Sequence, residues 1–170
     1  MQTRHFVIAG LIALTSLQGA NSVTKEGTDA GAAFTRLKTL AGEWKADTPQ
    51  GQARLTYETT AGGTVLVERD TAENMLGMMT MYFVDGNRLL LTHYCMAGNQ
   101  PRMQARSFNA QTGEVQFQFL DATNLANSNA GHMHNARIRI LDNNHFDAEW
   151  QFFENGAPKM TETFHYTRVR

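Results

Sequence analysis

The chain has 170 residues, enough for one domain with a sizeable core. Its 15 basic and 16 acidic side chains leave a formal charge of −1, and without a basic patch to hold phosphates the composition argues against nucleic acid as a partner. No apolar run reaches the ~20 residues of a membrane-spanning helix, and a lone cysteine, Cys95, rules out an internal disulfide.

Arg4 and His5 precede an apolar stretch at 6–14, and small residues follow at Ala20 and Ser22. This is the pattern of a secretory signal over residues 1–22 and places the protein in the periplasm or outside the cell. Residues 23–30 are small and polar and read as a loose leader to a single domain at 31–170. Ala33, Phe34, Leu37 and Leu40 recur at helical spacing, with Asp29 as N-cap and Gly42 as the stop.

Beyond Gly42 the helical period disappears. Strand-length segments alternate with turn signals at 43–48, 53–60, 64–70, 75–84, 88–95, 102–108, 114–120, 132–141, 145–154 and 159–169. Asp85-Gly86-Asn87 and Asn155-Gly156 are hairpin signals, and 121–131 is the longest loop. Short links make neighbouring strands antiparallel. An open sheet of this size leaves two unpaired edges, and closure removes both. The expected fold is therefore all-β, a closed antiparallel up-and-down barrel of about ten strands with a short N-terminal helix. A two-sheet sandwich is the alternative.

Alternation along each strand assigns faces. Leu55 and Tyr57 are expected inside, as are Val115, Phe117 and Phe119, and Phe146, Ala148, Trp150 and Phe152. Outward Arg137 and Arg139 place Ala136, Ile138 and Ile140 inside, and with them His132 and His134. Outward Arg88 places Leu89, Leu91, His93 and Cys95 inside. An inward set rich in Phe, Met, Leu and Trp with a few convergent polar groups is the make-up of a ligand pocket. The candidate ligand-binding residues are Tyr57, His93, Cys95, Asn99, Arg102, Phe117, Phe119, His132, His134 and Trp150. Asn99 and Arg102 flank a Gly/Asn/Pro loop and are placed to gate the barrel mouth.

His132-x-His134 puts two imidazoles on one strand face, a spacing that metal ligands use, with His93 or Cys95 as a third. Met75, Met78, Met79, Met81 and Met96 crowd the same region as His93 and Cys95, a set of soft ligands suited to copper(I) or else adaptable apolar packing. His93 or His134 as a lumenal general base is a third reading. The acidic residues Glu43, Glu68, Glu149 and Glu162 are scattered and form no recognisable pair.

A helix, then Gly42-x-Trp44, then antiparallel strands ending in an arginine-containing strand with Arg168 and Arg170, resembles the calycin superfamily of lipocalin-like barrels. The resemblance implies that Trp44 plugs one barrel end beneath Arg168 or Arg170, both structural, with Gly42. The strand count is closer to nitrobindin-like and fatty-acid-binding barrels. Nitrobindin-like proteins hold haem through a histidine near the C-terminus, which would be His165. Alternation nevertheless sets His165 toward water, and the glycine-rich segment expected after the Trp is replaced by Lys45-Ala46-Asp47-Thr48-Pro49. The leading expectation is an exported, non-catalytic barrel that takes a small, largely apolar molecule in its lumen.

Overall fold

The computed structural model describes residues 29–70 and 77–169. The expected secretory signal, most of the leader and Met75 lie outside these residues. The described chain opens on a helix, α1 (Ala30–Lys38), capped by the Asp29 side chain, which accepts the Ala32 N–H at 2.9 Å. Ten strands follow: β1 (Gly42–Thr48), β2 (Gly51–Thr60), β3 (Val65–Asp70), β4 (Met79–Asp85), β5 (Arg88–Tyr94), β6 (Gln100–Asn109), β7 (Glu114–Thr123), β8 (His132–Ile140), β9 (His145–Glu154) and β10 (Ala157–Arg168). Each pairs antiparallel with the next, and β10 returns to β1, so the sheet closes into a barrel rather than a sandwich. The fourth strand starts at Met79 rather than at residue 75, as the alternation alone suggested.

Two hairpin turns follow their sequence signals. Gly86 (φ 59°) lies between β4 and β5, and Asn155 and Gly156 (φ 55° and 72°) join β9 to β10. These left-handed conformations match the twist of the flanking strands.

One end of the barrel is filled by apolar side chains. α1 packs against β4 and β5, and Phe34, Leu37 and Leu40 are buried with Trp44, Leu89, Val115, Ile138, Ile140 and Phe146 in one core. Full burial of such a side chain contributes about 1.5–3 kcal/mol, which holds the helix across the barrel end. Arg36 adds a bond from Nη2 to the Ile140 carbonyl at 3.1 Å.

Trp44 is the centre of this plug. It is 1% exposed, its indole N–H donates to the Leu40 carbonyl at 2.7 Å, and its ring meets Phe146 edge-on with centroids 4.7 Å apart. The Arg168 guanidinium lies 4.1 Å from the Trp44 ring centroid. It donates to the carbonyls of Thr39 at 2.9 Å, Ala41 at 2.8 Å and Asn143 at 2.7 Å. Thr39 and Ala41 follow the last turn of α1, where carbonyls lack helical partners and a cation is favoured. Gly42 is required beneath it: its φ is 131°, and an added Cβ would lie 2.6 Å from Arg168 Nη1.

The ladder that closes the barrel is short. β1 and β10 register through Trp44↔Arg168 and Lys45↔Thr167, extended by the Val169 N–H to the Glu43 carbonyl at 2.8 Å. Arg168 therefore sits on the seam as well as on the plug. Arg168→Ala is expected to lower stability by about 2–4 kcal/mol, combining a cation–π contact with charge-assisted hydrogen bonds; Arg168→Lys should recover only part, because an ammonium cannot span three carbonyls. Gly42→Ala should lose about 1–3 kcal/mol through strain at its backbone angle and the clash with Arg168. Urea unfolding of the three variants checks both expectations, and a wild-type midpoint for Arg168→Ala would contradict them.

Candidate functional site

A row of polar side chains crosses the barrel interior on one rung of the sheet. The registered pairs Tyr57↔Glu68, Glu68↔Thr80 and Thr80↔His93 run from β2 through β3 and β4 to β5. Side chains directly opposite one another lie within hydrogen-bonding reach, and here they bond along the row. Tyr57 donates to Glu68 Oε2 at 2.6 Å, and Tyr82, from the next inward position of β4, donates to the same oxygen at 2.6 Å. Thr80 Oγ1 donates to Glu68 Oε1 at 3.4 Å and lies 3.0 Å from His93 Nδ1. His93 Nε2 is buried without a partner. The His93 ring rests against Trp150, with centroids 5.0 Å apart.

Burial dominates the acid–base behaviour of this row. It raises the Glu68 carboxyl above its ordinary range, opposed by the bonds from Tyr57, Tyr82 and Thr80. Burial and the neighbouring Glu68 together push the Tyr57 and Tyr82 hydroxyls far above theirs. Burial alone lowers His93 to about 4 and keeps it neutral at physiological pH.

The row borders a cavity of about 360 Å³, within the ~300–1,000 Å³ span of ligand pockets. Leu55, Met78, Met133, Trp150 and Phe164 supply its apolar wall, and Glu68, Asp70, His93 and Glu162 its polar groups. It lies toward the barrel end opposite α1, between the β1–β2 hairpin and β10. Among the described residues no registered pair joins 46–48 to 164–166, and both segments contribute to the lining. A larger depression of about 670 Å³ lies on the outer wall. Its side chains already bond one another, as in Arg137 with Glu149, Arg106 with Gln118 and Asn135 with Gln151. The lumenal cavity, with its unpartnered nitrogen, is the candidate site.

The structure brings together only some of the residues expected from sequence. Tyr57, His93 and Trp150 lie in or beside the cavity, and Phe117 is buried in the core against Tyr82. Cys95 lies beyond the end of β5 in a turn closed by the Gly98 N–H to its carbonyl at 3.0 Å, so strand alternation does not govern it. Asn99 is buried and donates to the Gly131 carbonyl at 2.8 Å, tying this turn to the long loop. Arg102 faces outward and forms a paired bond with Asp121, which holds that carboxyl below its usual range.

The histidines correct the alternation most clearly. The β8–β9 register shifts between Met133 and Asn135, a bulge at His134 of the kind that exchanges faces. Met133 lines the cavity, and its two histidine neighbours do not. They form a separate cluster instead. His132 Nδ1 bonds the Ala130 carbonyl at 2.8 Å and its Nε2 lies 3.0 Å from His134 Nδ1, while the His134 ring stacks on Phe119 and Phe153. With both His132 nitrogens engaged and His93 bonded to Thr80, the proposed metal set of His93, His132 and His134 is not assembled. Among the described residues no three His, Cys, Asp or Glu side chains are grouped to hold a metal ion. His165, the residue a haem-binding resemblance would use, stands on the outer wall. Its side chain is 77% exposed and bonds Asp147 at 2.7 Å, so it offers no ligand to the lumen.

Glu68 and Thr80 were missed. The alternation Leu66-x-Glu68-x-Asp70 does set both carboxylates on one face with Leu66, but only the pairing of β3 with β2 and β4 shows what Glu68 meets.

No protein-family model matches the chain, and no curated protein matches it.

The buried imidazole has a measurable consequence. The unfolded chain binds a proton at His93 near the ordinary value of 6.5, whereas the native state resists it down to about 4. The stability contributed by neutral His93 is therefore complete above the unfolded value and is lost as pH falls through that window. Between pH 7 and roughly pH 4.5 the wild type is expected to lose about 2 kcal/mol more than His93→Gln, measured by urea unfolding at both pH values. Equal losses would show that His93 is solvated.

Proposed function

We propose that this protein is a non-catalytic calycin-like barrel that binds a small, largely apolar molecule in its lumen. The observation that carries the reading is the cavity of about 360 Å³, walled by Trp150, Phe164, Met133, Met78 and Leu55 and bordered by His93, whose Nε2 is buried without a partner. An unsatisfied buried polar atom beside an apolar space is the pattern of a site completed by a ligand. The calycin affinity is supported by the Gly42, Trp44 and Arg168 plug within a closed ten-stranded barrel.

Binding is favoured over catalysis because His93 Nε2 has no hydrogen-bond partner, so among the described residues no second titratable group stands within reach of it for paired acid–base chemistry. Export is part of the same proposal, supported by the apolar run at 6–14 and the small residues Ala20 and Ser22.

Trp150 supplies the assay, since an apolar ligand in the cavity touches its indole. Titrating the protein with medium-chain alcohols and ketones should change its fluorescence saturably. Ala53→Trp, placed at a half-buried lining position, should weaken binding by at least about tenfold while leaving the fold intact by circular dichroism. Saturable binding that Ala53→Trp leaves unchanged would place the ligand elsewhere, and no binding by any probe would remove the proposal.

A further inference from the structure

The hydrogen bonds around Glu68 fix more than the shape of the cavity. Glu68 Oε2 receives two hydroxyl bonds of 2.6 Å, from Tyr57 and Tyr82. This is the length of O–H···O⁻ bonds, and since Oε1 in turn accepts from Thr80 Oγ1 at 3.4 Å, both oxygens act as acceptors only, the arrangement of an ionised carboxylate. The remaining oxygen, Oε1, then has no proton to give, and Thr80 Oγ1 donates to it. A hydroxyl has a single proton. With that proton turned to Glu68, the 3.0 Å contact between Thr80 Oγ1 and His93 Nδ1 holds only if Nδ1 carries the hydrogen. A neutral imidazole protonated at Nδ1 has a lone pair at Nε2. The nitrogen that is buried without a partner is thus an acceptor.

The charges in the lining agree with this polarity. Among the described residues, Glu68, Asp70 and Glu162 border the cavity against one guanidinium, that of the exposed Arg54. A carboxylate ligand would meet an acceptor nitrogen and three acids, with nothing buried to pair its charge.

We infer that the cavity selects an apolar molecule ending in a hydrogen-bond donor, a hydroxyl in its neutral form, and discriminates against ketones and fatty carboxylates of the same size. The inference rests on the proposed ligand-binding role and adds the ligand's chemical class. The selecting device is a relay in which Tyr57 and Tyr82 hold Glu68, Glu68 orients the Thr80 hydroxyl, and Thr80 sets the His93 tautomer. Glu68 and Thr80 are positioning residues; His93 alone touches the ligand's polar end.

The relay is tested by reversing it. In Glu68→Gln the amide oxygen still receives both tyrosines, while the amide N–H donates to Thr80 Oγ1. The Thr80 hydroxyl then turns to His93 Nδ1, and Nε2 becomes a donor. Binding of 2-octanol, 2-octanone and octanoate is measured on wild type and Glu68→Gln by Trp150 fluorescence. Wild type is expected to bind the alcohol at least about tenfold more tightly than the ketone and to bind octanoate weakest. In Glu68→Gln the alcohol's advantage over the ketone should vanish. Nitrogen NMR of the wild-type histidines reads the tautomer directly and does not depend on the variant's folding. It should show His93 protonated at Nδ1.

A ketone that matches the alcohol on wild type, an octanoate that outbinds both, an unchanged preference in Glu68→Gln, or an Nε2–H tautomer would each overturn the inference while leaving a ligand-binding cavity in place. Failure of all three probes to bind would instead overturn the ligand-binding role, and the ligand class with it.

Discussion

The contact between Arg168 and Trp44 is the constraint on which the rest of the barrel depends. One guanidinium covers the indole at 4.1 Å and takes carbonyls from both sides of the helix-to-strand junction and from the 141–144 turn. It joins the last strand, the first strand and the end of α1 at one point. Because β1 and β10 share so few registered pairs, their ladder cannot supply that closure by itself. Two of its three hydrogen bonds go to carbonyls just past the last turn of α1, where helical partners run out.

Plugging one end determines what the other end contains. An aromatic column leads inward from the plug: Trp44 meets Phe146 at 4.7 Å, Phe146 stacks on Tyr166 at 4.8 Å, and Tyr166 lies 5.8 Å from Phe164. Tyr166 and Phe164 already border the cavity. Beside them runs the polar rung of Tyr57, Glu68, Thr80 and His93. Burying a carboxylate there is costly in itself, and the tyrosine and threonine donors compensate it only in part, since Glu68 remains displaced above its ordinary range. An arrangement that forgoes stability in the interior and leaves an imidazole nitrogen unpaired suits a site completed by a ligand better than a filled core.

The architecture was legible because its signals are local. Turn residues at 85–87 and 155–156, a helix stop at Gly42 and strict alternation in β2, β7 and β9 require no knowledge of pairing. Alternation placed Tyr57, Phe117, Ile138, Phe146 and His93 inside, and all are buried. It missed Met133, which the bulge at His134 brings into the lining, and it failed at Cys95, which falls beyond the strand end. Both failures come from the extra or unpaired residue that a period-two reading cannot register. Glu68 was illegible for a different reason: its partners come from neighbouring strands, and spacing along one strand carries no information about the residue across the ladder. The metal reading of the histidines failed on the same point, because shared strand parity does not bring His93 to His132 and His134.

The barrel joins a sealed end at Trp44 to an open, ligand-sized space between Trp150, Phe164 and His93. A crystal structure of the protein soaked with a brominated medium-chain alcohol tests that join most directly, since the anomalous signal locates the bromine on its own. The expected result is one bromine site in the lumen, the hydroxyl within hydrogen-bond distance of His93 Nε2, and Trp44 still covered by Arg168. A lumen filled by side chains with bromine only on the outer wall, or Trp44 open to solvent, would contradict it.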